Sequence, residues 1–397
     1  MAQLYFSRDV KVYVQIGAQS WEIPVLEGFS FSQTTNAVEI TVNEMGSTNS
    51  TRGRKMFNDS LAPAEWSFST YARPFISAGT AATNSFSADA AAEHHAVEES
   101  LWALLSGPAT YAAYGFTGQI LPAVGLSTIN FSQSNRSTLG TATIWFHFPD
   151  ATTPTVYKLT EACVNEATLN FDIDGIATID WSGMAQKIVD APYADLEVAL
   201  GIANAGDPLT TATKLINEGA TCDDTGNFIR NRLSTVTIQA ADIATFPGSL
   251  DSSVPPVHTG QYSLVLTGGS ITISNNMSFL TPSSLACVNV PLGHVTGART
   301  VSGSLDCYLN GEGAGGSGQL FEDLIDATSL TTNSFNVVVS VGGGAANNMT
   351  FNFPTAHFEI PSHDLADVVS LSTNFHALPS SIDATDEVTV VYKGLAL

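Results

Sequence analysis

The sequence predicts a mainly β protein made of two tandem antiparallel β-sandwich or barrel domains, each with a flanking α-helix. Many short segments alternate apolar and polar residues, which is the pattern of half-buried strands. Only two segments combine helical spacing with helix-ending or helix-preceding glycines. The order of elements also recurs, because the strand from Arg8 to Gln15 has a counterpart from Arg232 to Gln239, an offset of 224 residues. Such internal similarity indicates a repeated unit.

A second stretch supports the repeat. Residues 163–181 align with residues 357–375 at an offset of 194. We therefore expect a first copy in residues 1–191, a linker or insertion in 192–227 and a second copy in 228–397, each copy of ordinary domain size. A duplicated unit favours an object built by symmetry over a catalytic pocket.

The first copy contains one predicted helix and several predicted strands. Val97, Leu101 and Leu104 follow helical spacing and Gly107-Pro108 ends the segment, so a helix is expected over 93–106. Asp174-Gly175 between two alternating segments predicts a hairpin turn. A long polar loop is expected over 43–63. Strands are predicted at 10–16, 23–26, 29–42, 65–71, 129–131, 141–148, 157–159, 167–173 and 176–181.

The second copy repeats this order. A glycine-rich loop over 311–318 precedes a predicted helix at 320–327, and the linker has a short helical piece near 214–217. Strands are predicted at 233–238, 262–266, 271–273, 302–309, 335–341, 349–353, 368–375 and 387–392.

Composition excludes several functions. The chain has 14 Lys and Arg against 37 Asp and Glu, a net charge of −23, so specific nucleic-acid binding, which needs clustered cations, is not expected. Charged residues make up only 13%, against about 25% in typical domains, which favours burial of surface against copies of the same chain.

No apolar run is long enough for a membrane span, and no secretory signal is predicted. The four cysteines lack metal-site spacing and are expected to be reduced thiols, although Cys287 and Cys307 could lie on neighbouring strands.

No catalytic, cofactor or metal site is predicted. The aspartates around the hairpin lack the closing Glu of a calcium loop. His94 and His95 are adjacent, so on a helix they point about 100° apart and cannot share a metal; we expect them on a solvated helix face. The glycine-rich loop lacks the Gly-Lys-Ser/Thr of a phosphate loop. The sequence therefore predicts that the protein is not an enzyme.

One cluster of cations is unusual in so acidic a chain. Arg52, Arg54 and Lys55 lie within four positions of the predicted polar loop. They are either a solvated loop tip or a contact with an acidic patch on a neighbouring subunit, where charge complementarity sets register.

These features together resemble the major tail tube proteins of long-tailed bacteriophages. The resemblance rests on residues 22–32, the Arg-Gly-Arg-Lys run at 52–55, and residues 66–71 and 170–183. It implies sandwich or barrel subunits whose strands join around a central channel, in rings that stack into a tube. The loop over 43–63 would reach the adjacent ring, with a shorter counterpart over 289–298 whose only cation is Arg299.

The resemblance also implies partners and a place of action. Six domains per ring would be met by three chains, giving a trimer with pseudo-six-fold symmetry. DNA would pass an acidic lumen without specific binding, with Asp172 and Asp180 as candidate lumen residues. Tape measure, baseplate and terminator proteins, and a sheath where the tail has one, are the expected partners in a virion tail assembled in the host cytoplasm. A tandem β-sandwich carbohydrate-binding protein or adhesin, or another tail component such as a terminator or baseplate hub, is the alternative.

Overall fold

The structure, a computed structural model, describes residues 5–40, 55–76, 93–112, 115–131, 138–150, 154–201, 228–240, 261–281, 290–310, 315–326, 334–343, 347–365 and 368–394. Strands dominate, which confirms the predicted fold class. The part up to residue 201 contains β1 (Lys11–Ile16), β2 (Gln19–Ile23), β3 (Ser30–Ile40), β4 (Lys55–Tyr71), β5 (Pro74–Ile76), β6 (His94–Ala96), α1 (Glu99–Ser106), β7 (Tyr111–Ala112), β8 (Gly115–Phe116), β9 (Ile120–Ala123), β10 (Leu126–Asn130), β11 (Ala142–Phe148), β12 (Thr155–Asp172), β13 (Thr178–Ala185), β14 (Lys187–Ala191) and α2 (Tyr193–Ala199).

The part from residue 228 onward holds the remaining elements. It contains β15 (Thr235–Ala240), β16 (Gln261–Ser263), β17 (Leu266–Ser274), β18 (Ser278–Leu280), β19 (Gly293–Val295), β20 (Thr300–Tyr308), α3 (Ser317–Asp326), β21 (Phe335–Val341), β22 (Asn348–Phe358), β23 (Ser362–Leu365), β24 (Val369–Ala377) and β25 (Thr389–Lys393). None of the helices in the described ranges has the length and apolarity needed to cross a membrane.

Two antiparallel sheets have the same strand order in the two parts of the chain. The N-terminal sheet runs β2-β1-β11-β12-β14. The C-terminal sheet runs β16-β15-β21-β22-β25 and is then extended by β10 and β9 from the first part. The two parts are therefore interlocked through β10.

A third sheet is built from both parts, and we call it the shared sheet. Its order is β3-β4-β13-β12-β17-β20-β24-β23. Strand β12 belongs to two sheets, because its first half pairs with β11 and β14 and its second half with β13 and β17. The prediction of separate strands at 157–159 and 167–173 therefore missed one continuous strand.

The main buried cluster combines apolar residues of all three sheets with those of α1. All eight residues of α1 are buried, and the ring of Trp102 meets that of Trp181 at 4.9 Å between centroids. Trp66 and Phe68, at alternate positions of β4, are buried in the same apolar cluster. The apolar positions of the alternating sequence pattern therefore lie on the buried face of the shared sheet.

Two local predictions were wrong. The helix begins at Glu99 rather than at residue 93, since residues 94–96 form β6 and pair with β5. His94 and His95 are buried and not on a solvated face; His95 Nδ1 lies 2.9 Å from Glu99 Oε2. Burial of these rings is tolerated because their nitrogens have partners: Glu99 for His95, and the Gly394 oxygen at 3.3 Å and the Gly125 amide at 2.9 Å for His94.

The predicted loop over 43–63 was also wrong in its second half. Residues 55–63 belong to β4, which pairs with β3 as far as Lys55 opposite Ile40. The helical piece predicted near 214–217 lies outside the described residues. The second helix was predicted well, because α3 spans Ser317–Asp326 where residues 320–327 were expected.

Candidate functional site

One face of the shared sheet packs on the core, and the opposite face is polar. Cross-strand pairs on the polar face join small hydroxyl residues, as in Ser30 opposite Ser67 and Thr272 opposite Ser302. Among the described residues of the eight strands, the only Lys or Arg are Lys55, at the far end of β4, and Lys158, in the half of β12 that pairs with β11 and β14. The carboxylates of the polar face are Glu65, Glu166, Asp172, Asp180, Asp306 and Asp364.

Both predicted lumen aspartates lie on this polar face. Asp180 Oδ1 accepts a hydrogen bond from the Ser69 hydroxyl at 2.5 Å, and its Oδ2 accepts one from Asn170 Nδ2 at 3.0 Å. Asp172 accepts one from the Ile173 backbone at 2.6 Å. The four other carboxylates were missed, although each occupies a polar position of an alternating strand, which the sequence does reveal.

The centre of the polar face is the junction between the two parts of the chain. Strands β12 and β17 pair from Glu166 opposite Ser274 to Asp172 opposite Gly268. The hydroxyls of Thr168 and Thr272 lie 3.1 Å apart across this junction. Direct backbone pairing therefore makes one sheet from two sets of strands.

The shared sheet has two edges. At one, β3 pairs with β4; at the other, the β22–β23 segment pairs with β24. No other strand of the described residues covers these edges. Leu365 on β23 is 80% exposed, whereas Phe171, at the offset of 194 on β12, is only 4% exposed because β17 covers it.

The register of the edge matches that of the junction. Around the β12–β13 hairpin, residues 168 and 170 face 180 and 178; around the β23–β24 hairpin, residues 362 and 364 face 372 and 370. Each β12 residue and its counterpart on β23 differ by 194 in number, and each β13 residue and its counterpart on β24 differ by 192. The exposed edge strand β23 thus corresponds to the covered part of β12.

A relative in sequence shows the family of the chain. No protein-family model matches the chain. The tail tube protein pb6 of Escherichia phage T5 is 30% identical over 373 residues, which cover 92% of this chain and 69% of that protein. The chain belongs to the phage tail tube proteins. It is therefore a structural component of the virion tail, and the carbohydrate-binding alternative is set aside.

Strands β3 and β4 of this tail tube protein form a long hairpin. It lies where the resemblance predicted a long loop that reaches the adjacent ring. We call residues 35–40 and 55–61 of β3 and β4 the first arm. Its side chains Val38, Ile40, Met56 and Phe57 are between 42% and 63% exposed. Lys55 is exposed at the end of the arm, while Arg52 and Arg54 lie outside the described residues.

The tail tube protein has a second, differently placed arm. We call β18 and β19 the second arm; it is a separate strand pair after β17, whereas the first arm is a continuation of β3 and β4. The second arm starts at residue 278, so the prediction of a counterpart over 289–298 only was too short. Arg299 is not a contact cation, because its side chain is only 6% exposed and donates to the backbone oxygens of Phe131 and Ser106, each at 3.1 Å.

The described part of this tail tube protein contains one close thiol–imidazole contact. No group of three or more His, Cys, Asp or Glu residues there is arranged to hold a metal ion. Cys163 Sγ lies 3.3 Å from His294 Nδ1, but burial raises the pKa of the thiol to about 12 and lowers that of the imidazole. The pair therefore does not form a thiolate at neutral pH.

A buried titratable network ties the two parts together. The Tyr392 hydroxyl on β25 donates to Glu98 Oε1, which precedes α1, and Trp102 Nε1 donates to the Tyr392 oxygen at 2.9 Å. Burial raises the pKa of Glu98 to about 8. The carboxyl is thus neutral at pH 7 and contributes to packing rather than to surface charge.

Proposed function

We propose that this tail tube protein closes rings of three chains by joining the two edges of the shared sheet, and that these rings stack into the tube. Each chain presents eight strands with β3 at one edge and β23 at the other. Unpaired edges favour association with further strands. Joining β23 of one chain to β3 of the next would give a closed sheet around a channel.

The junction inside the chain supplies the register for this contact. Ser30 pairs with Ser67 on β4, and Ser270 pairs with Ser304 on β20, so Ser270 is the counterpart of Ser30 in the second part of the chain. In the same register, Thr272 is the counterpart of Ser32. Asn170 faces Ser270 and Thr168 faces Thr272. By the same rule, Asp364 would face Ser30 and Ser362 would face Ser32 of the neighbouring chain, and Leu365 would be covered as Phe171 is.

The ring size follows from two domains per chain. Residues 1–191 and 228–397 would each be one tube domain, which the common strand orders of the N-terminal and C-terminal sheets support. Residues 192–227 would be an insertion between them. Tail tube proteins are expected to place six domains in a ring, so three chains would close it with pseudo-six-fold symmetry.

The polar face of the shared sheet would line the channel. Its carboxylates include Asp172 and Asp180, and the two lysines of the described strands lie away from its centre, Lys55 at the end of the first arm and Lys158 in the half of β12 that pairs with β11 and β14. Without cations at this centre there is no counterion release to drive DNA binding, and a negative wall repels the phosphates. DNA would pass during ejection without specific binding.

Ring stacking would use the tip of the first arm. Arg52, Arg54 and Lys55 would meet an acidic patch on the next ring, where opposite charges speed encounter and fix orientation. The ends of the tube would contact the tape measure, baseplate and terminator proteins, and a sheath would surround the tube in a contractile tail. The chain would act as a structural protein and not as an enzyme.

Electron microscopy of assembled tubes tests this proposal. The reconstruction is expected to show three chains per ring, three-fold symmetry with pseudo-six-fold appearance, and the polar face of the shared sheet toward the channel. Six chains per ring, or that face turned away from the channel, would contradict it.

A further inference from the structure

The second arm shows how an arm docks beside the shared sheet. Met277 and Phe279 are buried with Cys163 and Leu139 in a small apolar cluster against which Met184 packs. The contacts are also polar, since Gln186 Nε2 donates to the Pro291 oxygen at 3.0 Å. The second arm is therefore held by the first part of the chain, next to the junction of β12 and β17.

A sharp bend directs the second arm to this place. Asn276 has a φ of 47°, in the left-handed region, directly after β17. Asn165 accepts hydrogen bonds at 2.8 Å from the backbone amides of Asn275 and Met277. The bend therefore begins where the β12–β17 pairing ends, and strand pairing and arm docking are one continuous contact.

The first arm has no comparable cover in the described residues. It is a two-stranded ribbon whose apolar side chains, such as Val38 and Phe57, remain largely exposed. An isolated two-stranded hairpin is marginal in water, and a row of exposed apolar groups marks an interaction surface. Its base is the edge strand β3, which is the strand that would pair with a neighbouring chain.

The docking site of the second arm has a counterpart in the second part of the chain. The offset of 194 relates Cys163 to His357 and Asn165 to Glu359, and the offset of 192 relates Gln186 to Leu378. Leu378 is an exposed apolar residue, as is Ile360 further along the same edge. This counterpart lies beside the β23 edge and carries no arm of its own chain in the described residues.

We propose that the first arm of each chain docks sideways on the second part of the next chain in the same ring, around His357 and Leu378. The inference rests on the proposed pairing of β3 with β23, which brings the base of the arm next to this site. The pairings of β4 and β20 relate Ser67 to Ser304, an offset of 237. Continued along the chain to the two arms, this offset relates Phe57 to His294. Since His294 contacts Cys163, Phe57 takes the place beside His357 of the neighbour.

The occupant is a second copy of this chain, because the contact continues an edge that a copy would pair. Lateral docking fixes the base of the arm and leaves Lys55 at the far end of its described part. The same arm thereby holds the ring together at its base and serves stacking at its tip.

Disulfide trapping tests the docking. Cys222 and Cys287 are replaced by Ser, and Phe57→Cys is combined with His357→Cys in the full-length chain. Tubes assembled in reducing buffer are then oxidised and separated on non-reducing gels. Lateral docking predicts covalent dimers and trimers, with no larger species, because three chains close the ring. The matched control is Met56→Cys with His357→Cys, since neighbouring strand residues point to opposite faces; it is expected to give at least tenfold less trimer.

The outcomes separate this inference from the proposed function. Lateral docking would be overturned by monomers alone, or by a ladder of products far larger than trimers, which would show links between rings. In either case, the presence of assembled tubes would leave the proposal of three-chain rings in place. Parent chains that form no rings would instead overturn the proposed function. If the double variant fails to assemble, thermal dissociation of Phe57→Ala and Met56→Ala tubes decides, because only Phe57→Ala is expected to lower the dissociation temperature; equal effects would overturn the docking.

Discussion

Gly183 on β13 lies directly opposite Trp66 on β4, and the indole ring occupies the space above the glycine. A Cβ added at Gly183 would stand 2.0 Å from the Cys163 backbone oxygen and 2.6 Å from the Trp66 ring. The second part of the chain has the same arrangement with the partners exchanged, since Gly303 on β20 lies opposite Phe375 on β24. In each pair the large aromatic ring occupies the space that a side chain at the glycine would need.

Gly183→Ala should therefore destabilise the unassembled chain. We expect a loss of about 3 kcal/mol in the free energy of unfolding, because the extra carbon meets backbone and a buried ring that cannot move aside. Gly115→Ala is the control, since nothing lies within 4 Å of its Cβ position, and it should change stability by less than about 0.5 kcal/mol. Urea unfolding followed by tryptophan fluorescence measures both; equal midpoints would contradict the packing.

The exposed edge predicts an assembly defect without a folding defect. Leu365→Lys changes a side chain that is 80% exposed, so the melting temperature of the unassembled chain should stay within a few degrees of the parent value. Tube formation should be lost, because the proposed contact buries this position as β17 buries Phe171. Val198→Lys, at a residue 78% exposed on α2, is the matched control and should assemble. Normal tubes from Leu365→Lys would argue against the edge contact.

Charge reversal on the polar face tests the channel wall. Asp306→Lys adds a cation opposite Gly268 on the proposed lumen surface. Virions with this variant should release DNA more slowly, and added salt should reduce the difference because it screens phosphate attraction. Asp190→Lys makes the same change on β14, outside the shared sheet, and should release DNA at the parent rate. Equal rates for the two variants would remove the polar face from the channel.

Burial of Glu98 predicts how stability depends on pH. Its pKa is raised from 4.5 to about 8, mainly by burial. Between these values the folded chain keeps a proton that the unfolded chain has lost, so the free energy of unfolding falls as the pH rises. The slope is about 1.4 kcal/mol per pH unit for this group. Glu98→Gln is neutral in both states, so it should lack this slope and gain stability relative to the parent chain between pH 5 and pH 8. Parallel stability curves from urea titrations would show that Glu98 is charged when folded.

The local sequence pattern correctly predicted strands in which apolar and polar residues alternate regularly, and a turn whose backbone conformation requires glycine. The segment 335–341 coincides with β21, and the Asp174-Gly175 turn joins β12 to β13 with Gly175 at a φ of 104°. The pattern fails where tertiary contacts decide. Strand β22 was expected to end at residue 353, but it continues through Pro354 to Phe358, close to a register shift where a missing donor is tolerated.

The candidate surface was predicted only in part for a similar reason. Asp172 and Asp180 could be proposed because they flank a recognisable hairpin. Asp306 and Asp364 join the same face only through the β12–β17 junction and the β23 edge, which are long-range pairings. The buried state of His95 likewise depends on β5, a strand far from it in the sequence. Sequence alternation gives the polar side of each strand, but not which strands share a sheet.

Cross-linking between the two edges tests the central claim most directly. Ser32→Cys and Ser362→Cys are combined in the Cys222→Ser, Cys287→Ser background, assembled tubes are oxidised, and the products are weighed by mass spectrometry under denaturing conditions. Pairing of β23 with β3 in the register of β12 with β17 predicts a covalently closed trimer as the largest product. Uncross-linked monomers from intact tubes, or closed hexamers, would contradict it.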